Sequence, residues 1–236
     1  MGFVKSIIVG LAIATLWQAP AQANTSLFNV RDTGGNWLGG MTTISEARSA
    51  VDYYSLSSWS AHPGFNLNAN GMHMFLHEDT TTGVFSLGVV LDRISDGSAG
   101  RLNGSLSGLG AGASVALSDD AGEATIISPG TASFNFRWFN CCTDGFVISG
   151  VDPNNLSLVF NVLSSNGLTD LYFVNGNGSM TSSPISNGTF SFSVSSAPEP
   201  STWGLMIFGF IGMAVRLKAQ KSASQRDAFP GQPVGC

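Results

Sequence analysis

The residues best suited to metal-binding chemistry form a short acidic segment, Asp119-Asp120-Ala121-Gly122-Glu123. Calcium is bound by several carboxylate and carbonyl oxygens that a loop holds together. The candidate ligands are Asp119, Asp120 and Glu123, with Asp144 and Asp152 near other turns as further oxygen donors. The segment does not fit the D-x-[DN]-x-[DN]-G pattern, and Asp and Gly are ordinary residues of hairpin turns. A solvated turn without metal is the preferred interpretation, with a calcium site as its alternative.

Two adjacent cysteines, Cys141 and Cys142, are the second candidate group, while the third cysteine, Cys236, ends the sequence. Neighbouring Cα atoms lie about 3.8 Å apart, below the usual disulfide range, so a bridge between the pair would close a tight, rigid turn. We favour this vicinal disulfide. Two free thiols, a bridge to another molecule and metal binding stay open as alternatives.

Three histidines, His62, His73 and His77, fall within one short stretch of the chain. A zinc site needs three or four ligands close together. His73 and His77 lie in a predicted strand, where residues four apart are about 13 Å apart, too far to share one metal. There is also no H-E-x-x-H signature. We therefore expect surface or half-buried histidines.

No motif marks an enzyme. The stretch from Gly104 to Gly108 resembles a G-x-S-x-G elbow only superficially, because it is rich in Gly and Ser and no helix is predicted after it. The many acidic residues always permit a carboxylate pair on paper, so they do not identify a glycosidase. Trp37, Trp59 and Trp138 could stack on sugars, although Trp138 fits a buried strand position better. The sequence therefore predicts no catalytic residues.

The charge distribution excludes several classes of protein. Only 11% of the 236 residues are charged and 29 are glycine, which excludes a coiled coil and a highly charged disordered chain. Residues 24–197 carry five arginines, no lysine and thirteen acidic residues, a formal charge of −8. An acidic surface repels nucleic acids and anionic membranes, so no nucleic-acid partner is expected.

Short alternating segments separated by turn residues predict a mainly β fold, an antiparallel β-sandwich or jelly-roll-like domain. Phe134, Phe136 and Trp138 fall on alternate positions and should share one buried face. Residues 100–112, rich in Gly, Ser and Leu, could be a strand or a loop. The predicted strands are Met72–Glu78, Val84–Asp92, Ser114–Ser118, Glu123–Ser128, Ala132–Phe139, Phe146–Ser149, Leu156–Leu163, Thr169–Val174 and Thr189–Val194.

One segment predicts a short N-terminal helix, residues 42–51. Thr43 fits the N-cap position, and Glu46, three residues on, would complete a capping box. Three apolar side chains recur at helical spacing on one face: Ile44, Ala47 and Val51. We expect this helix to pack on a sheet.

The first 23 residues have the pattern of a secretory signal peptide. Lys5 is followed by an apolar run to Trp17, and Ala21-Gln22-Ala23 has the small-x-small form of a cleavage site. Cleavage after Ala23 would make Asn24 the first residue of an exported protein. The apolar run is short for a membrane-spanning helix.

The C-terminal region combines a proline-rich break, an apolar segment and basic residues. Pro198-Glu199-Pro200 comes first, the apolar segment runs from Trp203 to Val215, and Arg216 and Lys218 follow with Lys221. This pattern predicts a hydrophobic C-terminal helix that associates with a membrane and keeps its basic end in the cytoplasm. The apolar part, about 13 residues, is shorter than the roughly 20 of a spanning helix.

This tail resembles the PEP-CTERM sorting signal of exported proteins in Gram-negative bacteria that make exopolysaccharide. The resemblance rests on Pro198, Glu199, Pro200, Trp203, Arg216 and Lys218 and covers about the last 40 residues. It implies cutting near the Pro-Glu-Pro by exosortase, a membrane protease. Residues 222–236 depart from the pattern, because family tails usually end soon after the basic cluster. Residues 138–145 also resemble a segment of other uncharacterised PEP-CTERM proteins.

Four regions follow from these observations: a signal peptide (1–23), an acidic β-rich exported domain (24–197), a sorting or anchor segment (198–221) and a C-terminal extension (222–236). We expect Sec-dependent export, a membrane-anchored intermediate, and then a structural or binding role at the cell surface or in the extracellular matrix, associated with exopolysaccharide. A lectin-like, calcium-dependent carbohydrate-binding module is the alternative, and a secreted hydrolase is the third hypothesis. We do not expect an enzyme.

Overall fold

A computed structural model describes residues 27–57, 60–154 and 156–196, which belong to one structural unit ending at Ser196. The predicted signal peptide, its cleavage site, the C-terminal sorting segment and Trp59 lie outside the described residues. The described residues contain no helix long and apolar enough to cross a membrane.

The described residues form sixteen β-strands and one α-helix. In chain order these are β1 (Leu27–Asp32), β2 (Trp37–Thr42), β3 (Ile44–Glu46), α1 (Ala50–Tyr54), β4 (Leu56–Ser57), β5 (Ser60–Ala61), β6 (Gly71–Asp79), β7 (Val84–Leu91), β8 (Gly100–Ser107), β9 (Ser114–Ser118), β10 (Ala124–Ser128), β11 (Thr131–Trp138), β12 (Asp144–Ser149), β13 (Ser157–Asn166), β14 (Asp170–Val174), β15 (Met180–Pro184) and β16 (Phe190–Ser196).

Seven strands form sheet A in the order β10-β11-β8-β13-β16-β1-β2, with every neighbouring pair antiparallel. Its central strands alternate between buried and accessible side chains. In β11, Phe134, Phe136 and Trp138 are buried, while Asn135 and Arg137 are exposed. The alternation arises because successive side chains of a strand point to opposite faces of the sheet. The predicted aromatic face of this strand is confirmed.

Sheet B has the order β15-β14-β6-β7-β12-β9, and β3 also pairs with β6. Both β3 and β14 run parallel to β6, so the expectation of a purely antiparallel sandwich is wrong for this sheet. Strands β6, β7 and β12 are buried over nearly their whole length, which requires cover on both faces.

The main core lies between the two sheets. Phe136 of sheet A stacks on Phe146 of sheet B with ring centroids 5.5 Å apart, and Phe28 meets Phe85 at 5.9 Å. Gly100 leaves the space that the Trp138 indole fills, because a β carbon at position 100 would come within 2.2 Å of that ring. These contacts confirm a mainly β fold with the layering of a β-sandwich.

A second core cluster covers the outer face of sheet B. We call residues 44–57 and 60–67 the cover segment. Its Tyr53 ring lies 5.3 Å from the Phe75 ring, and its Phe65 ring lies 5.9 Å from the same ring. On the β7 side of this layer, Val90 is completely buried. Sheet A has no such cover among the described residues, so its outer side chains remain accessible.

The predicted helix over residues 42–51 is wrong in position. The chain from Ile44 to Glu46 forms β3, paired with β6, and the helix begins later, at Ala50. Its N-cap is Ser49, whose hydroxyl accepts a hydrogen bond from the backbone N–H of Asp52, instead of Thr43. The apolar residues at helical spacing therefore divide between a strand and a helix, since pairing with a sheet edge outweighs a local capping pattern.

Candidate functional site

A cleft of about 160 Å³ opens where the loop after β11 meets the turn after β9. Its lining residues are Asp119, Asp120, Arg137, Trp138, Phe139, Cys142, Thr143 and Asp144. The volume is below the roughly 300–1,000 Å³ of pockets that enclose drug-sized ligands. The cleft can therefore hold only a small group or one end of a larger ligand.

Pairing of β9 with β12 brings the acidic turn to Asp144. Phe146 lies opposite Ser118 in this pair, and the backbone N–H of Asp119 donates to the carbonyl oxygen of Gly145 at 3.0 Å. The turn is closed by the Ser118 hydroxyl, which donates to the carbonyl oxygen of Asp120 at 2.7 Å. Residues far apart in sequence are thus held side by side by sheet hydrogen bonds.

Glu123 and Asp144 form a carboxyl pair behind the cleft, near enough for each side chain to shift the pKa of the other. Asp144 is only 3% exposed, and its Oδ1 accepts from the Gly145 N–H at 2.7 Å. Burial, followed by the negative charge of Glu123, raises the pKa of Asp144 well above its usual range. Two neighbouring carboxyl groups resist joint ionisation, so the pair favours a state in which one of them keeps its proton.

Asp119 is the third carboxyl of this group. Partial burial, followed by the charges of Asp120 and Glu123, raises the pKa of Asp119 to about 6. Its Oδ2 and the Oε2 of Glu123 are buried and lack a hydrogen-bond partner among the described residues. The group therefore has free acceptor oxygens in a place that water reaches poorly, which is costly unless they are protonated or bound.

Tyr54 of α1 completes the group from the cover segment. Its side chain is fully buried, and its hydroxyl has no hydrogen-bond partner among the described residues. A β carbon at position 145 would lie 2.9 Å from that hydroxyl, which places it beside Gly145. Burial, followed by the charges of Asp119, Asp144 and Glu123, raises the pKa of Tyr54 above its usual range. Sequence reasoning missed this residue, since no local pattern connects helix α1 to the acidic turn.

A disulfide joins Cys141 and Cys142 in the wall of the cleft. The backbone N–H of Cys142 donates to the carbonyl oxygen of Phe139 at 3.3 Å, so the bridge sits in a tight turn. The next residue, Thr143, accepts a buried hydrogen bond at 2.6 Å from the backbone N–H of Ala61. The loop that leads from sheet A into sheet B is thereby attached to the cover segment as well.

Four of the five predicted calcium ligands lie near one another in the structure, and the fifth lies elsewhere. Asp119, Asp120 and Asp144 line the cleft with Glu123 behind them, whereas Asp152 lies in another turn, where its Oδ1 accepts from the Asn154 N–H at 2.9 Å. Among the described residues no group of three or more His, Cys, Asp or Glu side chains is arranged to hold a metal ion.

Two histidines are fully buried, which corrects the expectation of surface or half-buried side chains. The His73 Nε2 accepts from the Asn68 N–H at 3.0 Å, and its ring stacks on Tyr172 with centroids 4.7 Å apart. Burial lowers the pKa of His73 to about 4. The Nε2 of His77 faces Glu46 Oε1 at 3.3 Å. His73 and His77 therefore pack in the outer layer of sheet B, while His62 is exposed.

The remaining candidates, two tryptophans and the Gly- and Ser-rich segment, occupy ordinary positions in the sheets. Trp138 is buried, as expected, and its indole N–H donates to the carbonyl oxygen of Asp92 at 2.8 Å. Trp37 is 60% exposed at the edge of sheet A. The first part of the ambiguous Gly- and Ser-rich segment forms strand β8, so Ser105 lies on a sheet face.

Comparisons with known proteins add no assignment. No family model, no curated protein and no solved structure matches the chain.

Proposed function

We propose that this chain is an exported, jelly-roll-like β-sandwich protein with a binding role at the cell surface or in the extracellular matrix of a Gram-negative bacterium. Its N-terminal 23 residues direct export, and its PEP-CTERM-like tail directs sorting by an exosortase-type protease. The partner in the matrix is exopolysaccharide. The sequence patterns at Ala21-Gln22-Ala23 and Pro198-Glu199-Pro200 support the two sorting steps.

The observation that carries the proposal is the disulfide between Cys141 and Cys142 in the wall of a polar cleft. Disulfides persist in oxidising compartments, so the bridge fits a protein that leaves the cytoplasm. The cleft adds an exposed ring, Phe139, a guanidinium, Arg137, and the carboxylate of Asp120. Aromatic faces stack on apolar faces of ligands while charged groups hydrogen-bond their hydroxyls, so this composition supports a binding role.

A lectin-like module is the second candidate, because that composition suits a sugar. Calcium dependence of such binding would use the unpartnered oxygens of Asp119 and Glu123. A secreted hydrolase is the third candidate and receives less support, because the sequence contains no recognised catalytic motif.

The test is the intact mass of the protein recovered from the matrix, membrane and soluble fractions of its own host, before and after reduction. We expect a mature chain that begins at Asn24, ends near residues 196–200 and gains two hydrogens on reduction. Changing Glu199 to Gln and Pro200 to Ala should leave the protein in the membrane fraction with its tail attached.

A mass that includes residues 1–23, found only in the cytoplasm, would contradict the proposal. A mature chain in the matrix that retains Cys236 would contradict the sorting step alone. Changing Arg226 to Gln, beyond the motif, is the matched control and should leave processing unchanged.

A further inference from the structure

The two sheets carry opposite charges. The strands of sheet A contain three arginines, Arg31, Arg101 and Arg137, and a single carboxylate, Asp32. Asp32 lies opposite the buried Phe192, at an inward position of the register. The strands of sheet B contain no arginine and five acidic residues, of which only Asp144 is buried with a raised pKa: Glu46, Glu78, Asp79, Asp144 and Asp170. Within an acidic domain, the strands of sheet A therefore carry more positive than negative side chains, although loop carboxyls of the cleft lie near Arg137.

Two of these arginines lie side by side. Arg101 of β8 and Arg137 of β11 are direct cross-strand partners, and both are exposed. Neither forms an ion pair with a described residue, although the Arg137 guanidinium lies 5.7 Å from the centre of the Phe139 ring. Like charges directly opposite each other on a sheet destabilise it. An anionic ligand would remove this repulsion and gain two guanidinium partners at one place.

Hydroxyl and amide side chains form much of the rest of the face, together with the exposed Val159 and Leu163 of β13. One row crosses five strands, and its members are direct partners in the register: Thr125, Ser133, Ser105, Asn161 and Ser191. Within the row, the hydroxyls of Thr125 and Ser133 lie 3.1 Å apart, and the Ser191 hydroxyl donates to Asn161 Oδ1 at 2.9 Å. Neighbouring strands are about 4.8 Å apart, so the row spans about 19 Å.

The outer face of sheet A is long enough to contact several units of a polymer. Arg31 ends the row of Ser107, Val159 and Ser193, three strands from β8. Its guanidinium donates to the carbonyl oxygen of Gly35 at 2.8 Å. From strand spacing and rise, Arg31 and Arg101 stand about 25 Å apart at opposite corners. The polar rows lie between them. A ligand that meets both corners must be long, rich in hydroxyl groups and negatively charged.

We propose that the outer face of sheet A binds an acidic polysaccharide, a chain of sugar rings that carries uronate carboxylates. Arg101 and Arg137 take one carboxylate, Arg31 takes another, and the row through Ser105 hydrogen-bonds the ring hydroxyls between them. This inference rests on the proposed binding role and names the class of ligand and the surface that holds it. It does not use the cleft beyond the shared residue Arg137.

Charge density separates this ligand from a nucleic acid. A nucleic acid carries a phosphate at every nucleotide, and its bases are commonly held by aromatic side chains. The central strands β8, β13 and β16 carry no aromatic side chain at outer-facing positions, although the exposed Trp37 and Phe139 lie beside Arg31 and Arg137. The distinction therefore rests on charge, since the domain as a whole has a charge of −8, which repels a dense polyanion. Hydroxyls and amides, in contrast, match the ring hydroxyls of a sugar polymer.

The experiment measures binding of the purified full-length chain to polygalacturonate, with dextran and single-stranded poly(dT) as the comparison polymers. We expect saturable binding to polygalacturonate that weakens as salt rises, and no binding to dextran. The double variant Arg101→Gln/Arg137→Gln should bind about tenfold or more weakly. The matched control is Arg48→Gln, which removes the same charge from an arginine paired with Glu46 in the cover segment, and should bind as the parent does.

Ser105→Glu tests the face without removing an arginine. It places a carboxylate in the centre of the polar row, and binding should weaken about tenfold. Because these side chains are accessible, the near-ultraviolet circular dichroism and the melting temperature of each variant should match the parent, which separates lost binding from lost folding.

Parent-like binding by both the arginine double variant and Ser105→Glu would overturn the proposal, as would no binding of the parent chain to polygalacturonate. Equal, arginine-dependent binding of poly(dT) would also overturn it, because the face would then bind any polyanion. Failure of the proposed function is distinguished from failure of this ligand assignment by where the protein is found. If the protein has no binding role in the matrix, it will be absent from the matrix fraction of its host, even if the purified chain binds polygalacturonate.

Discussion

Sheet A and sheet B are built from strands of similar length but use their outer faces in opposite ways. In β11 of sheet A, buried and accessible side chains alternate, whereas in β7 of sheet B every residue after Val84 is buried. The cover segment accounts for the difference, because Tyr53 and Phe65 pack over Phe75 on the outer face of sheet B. One outer face is thus part of the core, and the other is left for solvent or a ligand.

The comparison separates structural from functional surface. A side chain on the outer face of sheet B contributes to stability by packing, so its substitution should lower the free energy of unfolding. A side chain on the outer face of sheet A contributes little to packing, so the rows of hydroxyl, amide and guanidinium groups there can be changed with the fold intact. The charges follow the same division, with all the strand arginines on the open sheet.

The largest expected effect comes from placing the same charge on both outer faces. Val90 on β7 is fully buried, and Val159 on β13 is 41% exposed. Val90→Asp would leave an unpaired carboxylate under the cover segment and should cost more than about 4 kcal/mol, enough to unfold the domain. Val159→Asp should cost less than about 0.5 kcal/mol. Urea unfolding followed by circular dichroism measures both.

Val90→Ala keeps this comparison measurable if Val90→Asp yields no folded protein. It should still fold, and it should cost about 2 kcal/mol because it leaves a cavity. A Val159→Asp variant as unstable as Val90→Asp would show that the outer face of sheet A is covered as well.

The two sheets also differ in how far the sequence predicts them. The alternation of Phe134, Phe136 and Trp138 predicts both the strand and its buried face. In a sheet with one solvated face, apolar residues recur at every second position of the sequence. A strand that is buried on both faces shows no such alternation of apolar and polar residues. The sequence therefore predicts strands β6 and β7 and gives no sign that His73 and His77 are fully buried beneath the cover segment.

The candidate site also depends on contacts between residues far apart in the chain, which the sequence does not predict. The acidic turn and the adjacent cysteines are visible in the sequence, but the contact of Glu123 with Asp144 and the position of Tyr54 depend on strand order and on where α1 packs. The misplaced helix has a related cause. Thr43 and Glu46 form a good local capping pattern, and pairing of β3 with β6 overrides it. The rows of sheet A likewise depend on strand register.

The next effect is a pH dependence that originates at the acidic group beneath the cleft. The folded-state pKa of Asp144 is raised by burial and by Glu123, and that of Asp119 is raised to about 6. A carboxyl with a raised folded pKa binds its proton more tightly in the folded state than in the unfolded state. Its stabilising contribution is complete below the unfolded pKa, near 4, and is lost as the pH rises through the folded pKa. The contribution of the acidic group to the free energy of unfolding should therefore fall by about 2 kcal/mol between pH 4 and pH 8. The lowered pKa of His73 acts in the opposite direction between about pH 4 and pH 6.5, so the contribution is measured as the difference between the parent and a variant of the acidic group.

Asp144→Asn is the test of that origin. The amide stays neutral at every pH, so most of the contribution of the acidic group between pH 4 and pH 8 should be absent from the variant and appear in the difference between the two profiles. Asp79→Asn is the opposite-sign control. Hydrogen bonds from Thr82 and Thr81 lower the pKa of Asp79, so its contribution is present at neutral pH and lost toward low pH. An unchanged slope in Asp144→Asn would place the pH dependence elsewhere in the protein.

A modest effect on stability should come from the link between the two sheets. The chain leaves sheet A after Trp138 and enters sheet B at Asp144, and the disulfide of Cys141 and Cys142 lies in between. A bridge between adjacent residues closes the shortest of loops, so it removes little freedom from the unfolded chain. The double variant Cys141→Ser/Cys142→Ser should therefore lose only about 1 kcal/mol of stability in urea unfolding.

The position of the bridge suggests a local role instead. Cys142 lines the cleft and Thr143 accepts the buried hydrogen bond from Ala61, so the bridge orders the wall of the cleft next to Asp144. Amide hydrogen exchange should accelerate in residues 139–145 of the double serine variant and stay unchanged in β8 and β13 of sheet A. Reduction of the parent chain with dithiothreitol should give the same local pattern, since it replaces the sulfur–sulfur bond by two thiols. A loss of several kcal/mol, with exchange faster throughout both sheets, would instead make the bridge a support of the whole sandwich.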